Sequence, residues 1–438
     1  MNNYIYIETY GCSANQNNSE IMKGILKQTG YEITNNEKIA DILIINTCIV
    51  KGKTESKIKR RIQDLARTYS NKLMVIAGCM PQTDFNSLKK INSQLLFLGI
   101  NHIKDISRLI SDYKNNQITN NPEKQKFYLS QTKEEKICLP KLSNNKLISI
   151  TQISEGCLGN CNYCKTKFAK GTLFSYPQDK ILKSIENDLQ QGAKEIWITS
   201  QDNASHGLDR EKNELSELLN KILSLKHNFK LRLGMMNPNH LHPILNEIIK
   251  IYKNKKVYKF LHIPIQSASN KVLKDMNRPY KIEIIKEIIN KFKKEFPDIT
   301  IATDVIAGYP TETEQDHKQN INFINDFKPD VLNLSKFSSH KQTKAAELKN
   351  LDIKIINKRT SELMEIHRKT AEQNKQKFLN KEIKVFINNK TKIPNIYEAR
   401  DENYNIILIK SNDKSILGKL IQIKIKQIGV HYMIGGLI

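Results

Sequence analysis

The stretch Gly156-Cys157-Leu158-Gly159-Asn160-Cys161-Asn162-Tyr163-Cys164 places three thiols in one short segment. Thiolates so close together can hold three irons of a [4Fe–4S] cluster and leave the fourth iron without a protein ligand. An open iron can bind a substrate, as the open position of a catalytic zinc site does. A structural zinc site is the competing reading; it needs a fourth ligand, for which His206 is available, and usually a second C-x2-C pair. Three more cysteines are spread out, in Tyr10-Gly11-Cys12, Asn46-Thr47-Cys48 and Ala77-Gly78-Cys79. A lone cysteine after a strand is commonly a small buried hydrophobe. Three in equivalent positions, two of them directly after glycine, point instead to a second three-thiolate cluster. Cys138 has no such context and reads as incidental.

The elements that must position these thiols follow from hydrophobic periodicity. Residues 4–9, 41–46 and 73–77 read as buried strands, and 19–29, 55–69 and 103–113 as helices. This alternation implies a doubly wound parallel sheet with helices on its faces. Cys12, Cys48 and Cys79 each follow one of the three strands and so converge on the ligand-binding edge. The polar stretch 114–136 reads as a linker.

A second alternating block has strands at 147–153, 195–199, 230–235, 258–263, 300–305 and 331–335, with helices such as 178–191, 214–225 and 282–296 between them. Six βα units without a dinucleotide glycine signature suggest a partial (β/α)6 barrel. Cys157, Cys161 and Cys164 follow its first strand, at the end where such folds keep their chemistry. A long helix at 353–378 closes the block. Beyond it, 381–387, 404–410 and 419–427 alternate in the β manner and suggest a small all-β barrel. The expected domains are 1–130, 143–371 and 372–438.

The chain has 438 residues, 39% of them hydrophobic, and a formal charge of +25. It is long enough for several cores and too apolar for wholesale disorder. No apolar run approaches the roughly 18–20 residues of a membrane span, and the start MNNYIYIETYGC lacks a signal pattern. Seven cysteines, an odd count, fit a reducing, cytoplasmic setting better than a disulfide framework. Only ten of the 70 basic residues are Arg. Arg rather than Lys suits bidentate phosphate and base recognition, so charge alone does not mark a nucleic-acid partner.

The motif Cys157-x3-Cys161-x-Tyr163-Cys164 resembles that of radical S-adenosylmethionine (SAM) enzymes. With three spread cysteines before it and a small basic barrel after it, the whole chain resembles the radical SAM methylthiotransferase family, whose C-terminal RNA-binding barrel is called TRAM. Cys164-Lys165-Thr166-Lys167-Phe168-Ala169-Lys170-Gly171, Arg232-Leu233-Gly234-Met235-Met236-Asn237-Pro238 and Leu261-His262-Ile263-Pro264-Ile265-Gln266-Ser267-Ala268-Ser269 resemble the archaeal and eukaryotic type acting on threonylcarbamoyladenosine in tRNA. The isopentenyladenosine and ribosomal-protein types usually have an apolar residue where this chain has Lys165. Met276-Asn277-Arg278-Pro279-Tyr280 and Thr303-Asp304-Val305-Ile306-Ala307-Gly308-Tyr309-Pro310 match the wider family.

The resemblance implies that Cys157, Cys161 and Cys164 hold a [4Fe–4S] cluster whose open iron binds SAM. Reductive cleavage of SAM would yield a 5′-deoxyadenosyl radical that takes hydrogen from C2 of the adenine, chemistry that only a cofactor supplies. Cys12, Cys48 and Cys79 would hold a second [4Fe–4S] cluster that carries the sulfur, methylated by a second SAM. Tyr163 would lie beside the SAM adenine. Ser200, Gln201 and Asp202, with Gln266 and Ser267, occupy the family's SAM-binding region, where ordinary strand-end capping is the plainer reading. The basic run 51–61, with Lys57, Lys59, Arg60 and Arg61, would grip tRNA phosphates near the reacting base. Further expected partners are an electron donor such as ferredoxin or flavodoxin and a sulfur donor, with the chain a monomer.

Two segments depart from the family pattern. Pro310-Thr311-Glu312-Thr313 stands where Pro-Gly-Glu-Thr is usual, and His340-Lys341-Gln342-Thr343 where Arg-Pro-Gly-Thr is common. The second replaces an arginine fork at the barrel mouth. Two other functions remain open at this point: a methylthiotransferase for another modified tRNA adenosine or for a ribosomal protein, and a zinc-stabilised RNA-binding protein without catalysis.

Overall fold

Short apolar runs separated by amphipathic ones can bury their apolar sides only as strands covered by helices. The computed structural model, which describes residues 3–50, 52–118 and 122–438, folds the first block in that way. Strands β1 (Tyr4–Thr9), β2 (Glu32–Thr34), β3 (Ile42–Thr47), β4 (Leu73–Gly78) and β5 (Leu96–Gly99) form one parallel sheet in the order β2-β1-β3-β4-β5. The central β3 is buried on both faces, which is why its Ile-Leu-Ile-Ile run is continuous rather than alternating. Helices Ser13–Gln28 and Ile106–Lys114 cover one face, with Met22 and Leu109 packed on Ile44 and Val75. Helices Gly52–Thr68 and Met80–Lys89 cover the other, with Ile58, Ile62 and Leu88 on Leu43 and Ile76. β2 and β5, with three and four residues, are too short to show a period in sequence.

The stretch 114–136 is not a linker. It carries a helix, Pro122–Phe127, and the Gln125 amide bonds both the N–H and the carbonyl of Phe97, at 3.1 and 2.6 Å. The Gly99 N–H then donates to the Tyr128 carbonyl at 2.8 Å, and Tyr128 is buried. This segment therefore supplies partners to an otherwise open sheet edge. Residues 119–121 of it lie outside the described part.

In the second block β6 (Ile148–Gln152) leads into a small hairpin, β7 (Ser154–Glu155) with β8 (Phe174–Ser175), whose loop carries the three close cysteines. Then come β9 (Glu195–Thr199), β10 (Lys230–Leu233), β11 (Phe260–His262), β12 (Thr300–Ala307) and β13 (Val331–Lys336). All pair in parallel, as β10-β9-β6 and β11-β12-β13, and a bridge from Leu231 to Val257 joins the two halves into one arc in chain order. β11 is shorter than its apolar run suggests, and just before it the Lys259 N–H donates to the Glu402 carbonyl of the C-terminal barrel at 2.9 Å. The helix Ile353–Gln376 runs through residue 372, so the proposed boundary there falls inside a helix.

The last block is a closed barrel of β14 (Glu382–Lys390), β15 (Ile396–Arg400), β16 (Ile406–Lys410), β17 (Leu420–Ile428) and β18 (Met433–Leu437), ordered β14-β15-β16-β18-β17. Two of the five strands escape the sequence reading. In β18, Met-Ile-Gly-Gly-Leu, a Cβ on Gly435 would come within 2.4 Å of Ile423 Cδ1, so the filled interior leaves no room for a side chain there. The barrel docks against the beginnings of the arc strands, opposite their cysteine-bearing ends. Tyr404 packs edge-on against Trp197 and at a tilt against Tyr258 and Phe260, with the Arg400 guanidinium 4.3 Å from its ring centre. Asn388 and the Tyr258 hydroxyl both donate to the buried Glu195. Truncating Tyr404 to alanine is expected to weaken this joint by about 3–5 kcal/mol, the range for a buried aromatic. Urea unfolding should then show the C-terminal barrel detaching first; an unchanged single transition would contradict the assignment.

Candidate active site

Strand register determines where the spread cysteines meet. Thr9 pairs with Asn46, Asn46 with Ala77 and Thr47 with Gly78, so β1, β3 and β4 end level with one another. Cys12 caps the helix Ser13–Gln28, Cys48 follows β3 directly, and Cys79 caps the helix Met80–Lys89. The loops approach so closely that a Cβ on Gly11, whose φ is +112°, would lie 2.8 Å from Cys48 Cβ and 3.0 Å from its Sγ. A buried polar net stitches them together. The Asn15 amide donates to the carbonyls of Tyr10 and Thr47, both at 2.8 Å. Asn46 donates to the Asn15 carbonyl and Ser19, and the Thr47 hydroxyl to the Ala77 carbonyl.

The second set of thiols sits on a loop with a pinched neck. Gly156 has φ +73°, and a Cβ there would come within 2.0 Å of the Thr172 carbonyl oxygen. Gly159 lies under two sulfurs: its N–H donates to Cys157 Sγ at 3.2 Å, and a Cβ would meet Cys157 Sγ at 3.3 Å and Cys161 Sγ at 3.7 Å. Asn162 anchors the loop through its amide to the Asp275 carbonyl at 2.8 Å. Arg278 donates to Cys161 Sγ at 3.1 Å, to Tyr280 Oη at 2.8 Å and to Asn237 Oδ1. Asn237 in turn donates to Asp202 at 2.9 Å.

The chemistry of the donors fits iron–sulfur clusters. Burial pushes the Cys79 thiol up to about 12 against the pull of Lys170. Burial and the Asp202 carboxylate push Cys157 to about 12 as well. Burial also raises Cys48 and Cys164. As buried thiolates these cysteines would need a cationic partner, which a metal core would supply as it displaces their protons. Among the described residues no three His, Cys, Asp or Glu side chains are disposed to hold a single metal ion.

A cavity of about 550 Å³ lies between the two sets. Tyr163, between Cys161 and Cys164, lines one side; Val50 and Gly52, just past Cys48, line another; Gln266, Asp304 and His340 lie along it. Ion pairs hold the domains together beside it. Lys165, directly after Cys164, reaches Asp84 at 2.5 Å and Glu55 at 3.5 Å, and His340 Nδ1 lies 3.4 Å from Glu55. Both carboxylates belong to the N-terminal helices, whereas Lys165 and His340 belong to the barrel arc. The departure at His340 thus places a half-buried imidazole, held below its usual value by desolvation and by Lys165, at the domain joint.

The SAM-region expectations divide. Tyr163 and Gln266, the latter at φ +63°, share the cavity. The Asp202 carboxylate is filled by the N–H groups of Ala204 and Asn237, the Asn237 amide and His240 Nδ1. Ser200 Oγ accepts from the Asp202 N–H, Gln201 is half-buried beside it, and buried Ser267 accepts from the Ser269 N–H. Of the basic run, Lys51 lies outside the described residues; Lys57 and Arg60 are exposed and Lys59 half-buried. Arg61 is spent inside the domain, on Glu8 at 3.0 Å and on Glu37. The sequence reading gave no role to Asn15 or Asn46, and it noted Lys165 and Arg278 only as parts of family motifs. Arginine scarcity was the usable signal for Arg278, since a Lys-rich chain keeps arginine where a rigid fork is required.

Comparison with known proteins accords with this geometry. Residues 4–99 match the model of "Uncharacterized protein family UPF0004" and residues 151–324 that of the radical SAM superfamily. The chain is 34% identical, over 99% of both chains, to the "Probable threonylcarbamoyladenosine tRNA methylthiotransferase" of Pyrococcus horikoshii. It is 32% identical to the human threonylcarbamoyladenosine tRNA methylthiotransferase, over 98% of this chain and 73% of the human one. Among solved structures, the radical SAM methyltransferase TsrM of Kitasatospora setae superposes with a TM-score of 0.55 at 12% identity, over 76% of this chain and 73% of that one, a likeness of fold. Six cysteines on two facing edges, a radical SAM arc between a UPF0004 sheet and a small barrel, and full-length identity above 30% lead to one conclusion: the chain belongs to the radical SAM methylthiotransferase family, in its archaeal and eukaryotic threonylcarbamoyladenosine branch.

Proposed function

We propose that this chain transfers a methylthio group to C2 of N6-threonylcarbamoyladenosine next to the tRNA anticodon, giving the 2-methylthio derivative. The observation that carries this reading is one cavity lined by residues that flank both cysteine sets. Cys157, Cys161 and Cys164 would hold the cluster that binds SAM, and Cys12, Cys48 and Cys79 a second [4Fe–4S] cluster. When bound, these groups supply the electron for SAM cleavage, the radical that activates the adenine C–H, and the sulfur.

The protein's part is positioning and exclusion of water. Tyr163 and Gln266 border the space that SAM and the base would share. Asp202 and Ser267 act one step back, Asp202 by orienting Asn237 and, through it, the Arg278 fork on Cys161. Lys57, Lys59 and Arg60 carry no ion pair among the described residues and suit phosphate contacts on the helix just past Cys48; Arg61 serves the fold. A reductant of the ferredoxin or flavodoxin class and a sulfur donor complete the partners. No helix among the described residues is long and apolar enough to cross a membrane.

Anaerobic reconstitution should load about eight irons per chain, falling to about four when Cys157, Cys161 and Cys164 are all replaced by alanine. Tightly bound zinc without iron uptake would favour the non-catalytic alternative. Nucleoside mass spectrometry of tRNA from a strain lacking the gene should show loss of 2-methylthio-N6-threonylcarbamoyladenosine, restored by the wild type but not by Cys79→Ala; an unchanged level would sink the assignment. Replacing Lys57 with alanine should weaken tRNA binding evenly across sequences and lower the log–log salt slope by about one. Arg61→Ala should instead cost mainly stability.

A further inference from the structure

Between the two cysteine sets lies a buried charge cluster that the preceding reading does not use. Glu155, immediately before the pinched neck at Gly156, receives Lys170 at 2.6 Å on one carboxylate oxygen and Lys136 on the other. All three residues are 5% exposed or less. Lys136 also reaches the Ile100 carbonyl at 3.2 Å, and Gln152 donates to Glu155 at 2.8 Å. Two lysines therefore face one carboxylate in the interior. Lys170 is also near enough to Cys79 and Cys12 to interact with both electrostatically.

With both ammoniums charged the trio is one positive charge in excess, and an unbalanced buried charge is strongly unfavourable. The groups that would answer it are the N-terminal cysteines once they are thiolates on a metal core. Ala169, the residue before Lys170, packs in the same apolar cluster as Cys48 and Cys79. The helix Thr166–Lys170 thus brings its terminal ammonium to the sheet edge from the opposite domain. A [4Fe–4S]2+ core on three thiolates carries one net negative charge, equal and opposite to the excess on the trio.

We propose that Lys170, clamped by Glu155, is a positioning residue of the Cys12–Cys48–Cys79 site: it supplies the buried counter-charge for an iron–sulfur cluster there and raises that cluster's reduction potential. The barrel arc thereby contributes to the electrostatics of a cluster whose ligands all come from the other domain. This inference rests on the two-cluster reading, and the test separates the two.

The full-length Cys157→Ala/Cys161→Ala/Cys164→Ala chain can load only the N-terminal site. Iron content and an EPR-monitored redox titration are measured in this background, alone and with Lys170→Met or Lys170→Arg. Removing the charge should disfavour reduction at least tenfold, a downward shift of about 59 mV for a one-electron couple, while arginine should keep the potential close to the parent's. Loss of iron uptake in Lys170→Met but not in Lys170→Arg also supports the inference, since only charge is restored. An unchanged potential in an iron-loaded Lys170→Met chain overturns it, as does a Lys170→Arg chain that behaves like Lys170→Met. A parent that takes up no iron overturns the two-cluster reading and this inference with it.

Discussion

Level parallel register across β1, β3 and β4 is the constraint on which the rest of the site depends. A shift of one residue in any of these pairings would reverse the faces of a strand and move its cysteine away from the other two. Two features hold the register at this edge. Helices on both faces make each strand's apolar pattern unambiguous, and Asn15, Asn46 and Thr47 bind the strand ends to one another. Buried amides left without these partners would be costly, so the net penalises any alternative arrangement. Gly11 then permits a backbone approach that no other residue would tolerate.

The joint between the N-terminal sheet and the barrel arc is unusually polar for a buried surface. Lys165 with Asp84 and Glu55 lies at one point of it, and Glu155 with Lys136 and Lys170 at another. The large apolar clusters of the two domains are distinct, apart from Ala169, which crosses into the N-terminal one. Paired charges contribute modest net stability, but breaking them is expensive, so they favour one relative placement of the domains over others. That placement brings Tyr163 and Val50 to the same cavity.

The basic composition has a more specific meaning than net charge suggested. The few arginines serve as forks: Arg278 on Cys161, Asn237 and Tyr280; Arg359 on Glu312; Arg400 on Glu398 and over Tyr404; Arg61 on Glu8 and Glu37. The fork at Arg359 also accounts for the Glu312 of the first departing segment, Pro310–Thr313, which is buried and structural. Most lysines cover the outside, where a flexible stem and hydrated ammonium suffice, and Lys136, Lys165 and Lys170 are buried in ion pairs.

By itself the sequence determined that six cysteines fall into two sets of three at strand ends, the βα order of two domains and the β character of the third. Those features rest on local spacing and on periodicity within one element, which neighbouring residues encode directly. It could not show that residues 114–136 complete a sheet edge, because that role depends on Gln125 meeting Phe97. Nor could it show that Arg61 is spent internally, or that Asp202 is already filled, since their partners are distant in the chain. Tertiary structure alone decided where buried charge sits between the domains. Charges interact through space rather than along the chain, so Lys136, Glu155 and Lys170 acquire a common role only when folding removes the water between them.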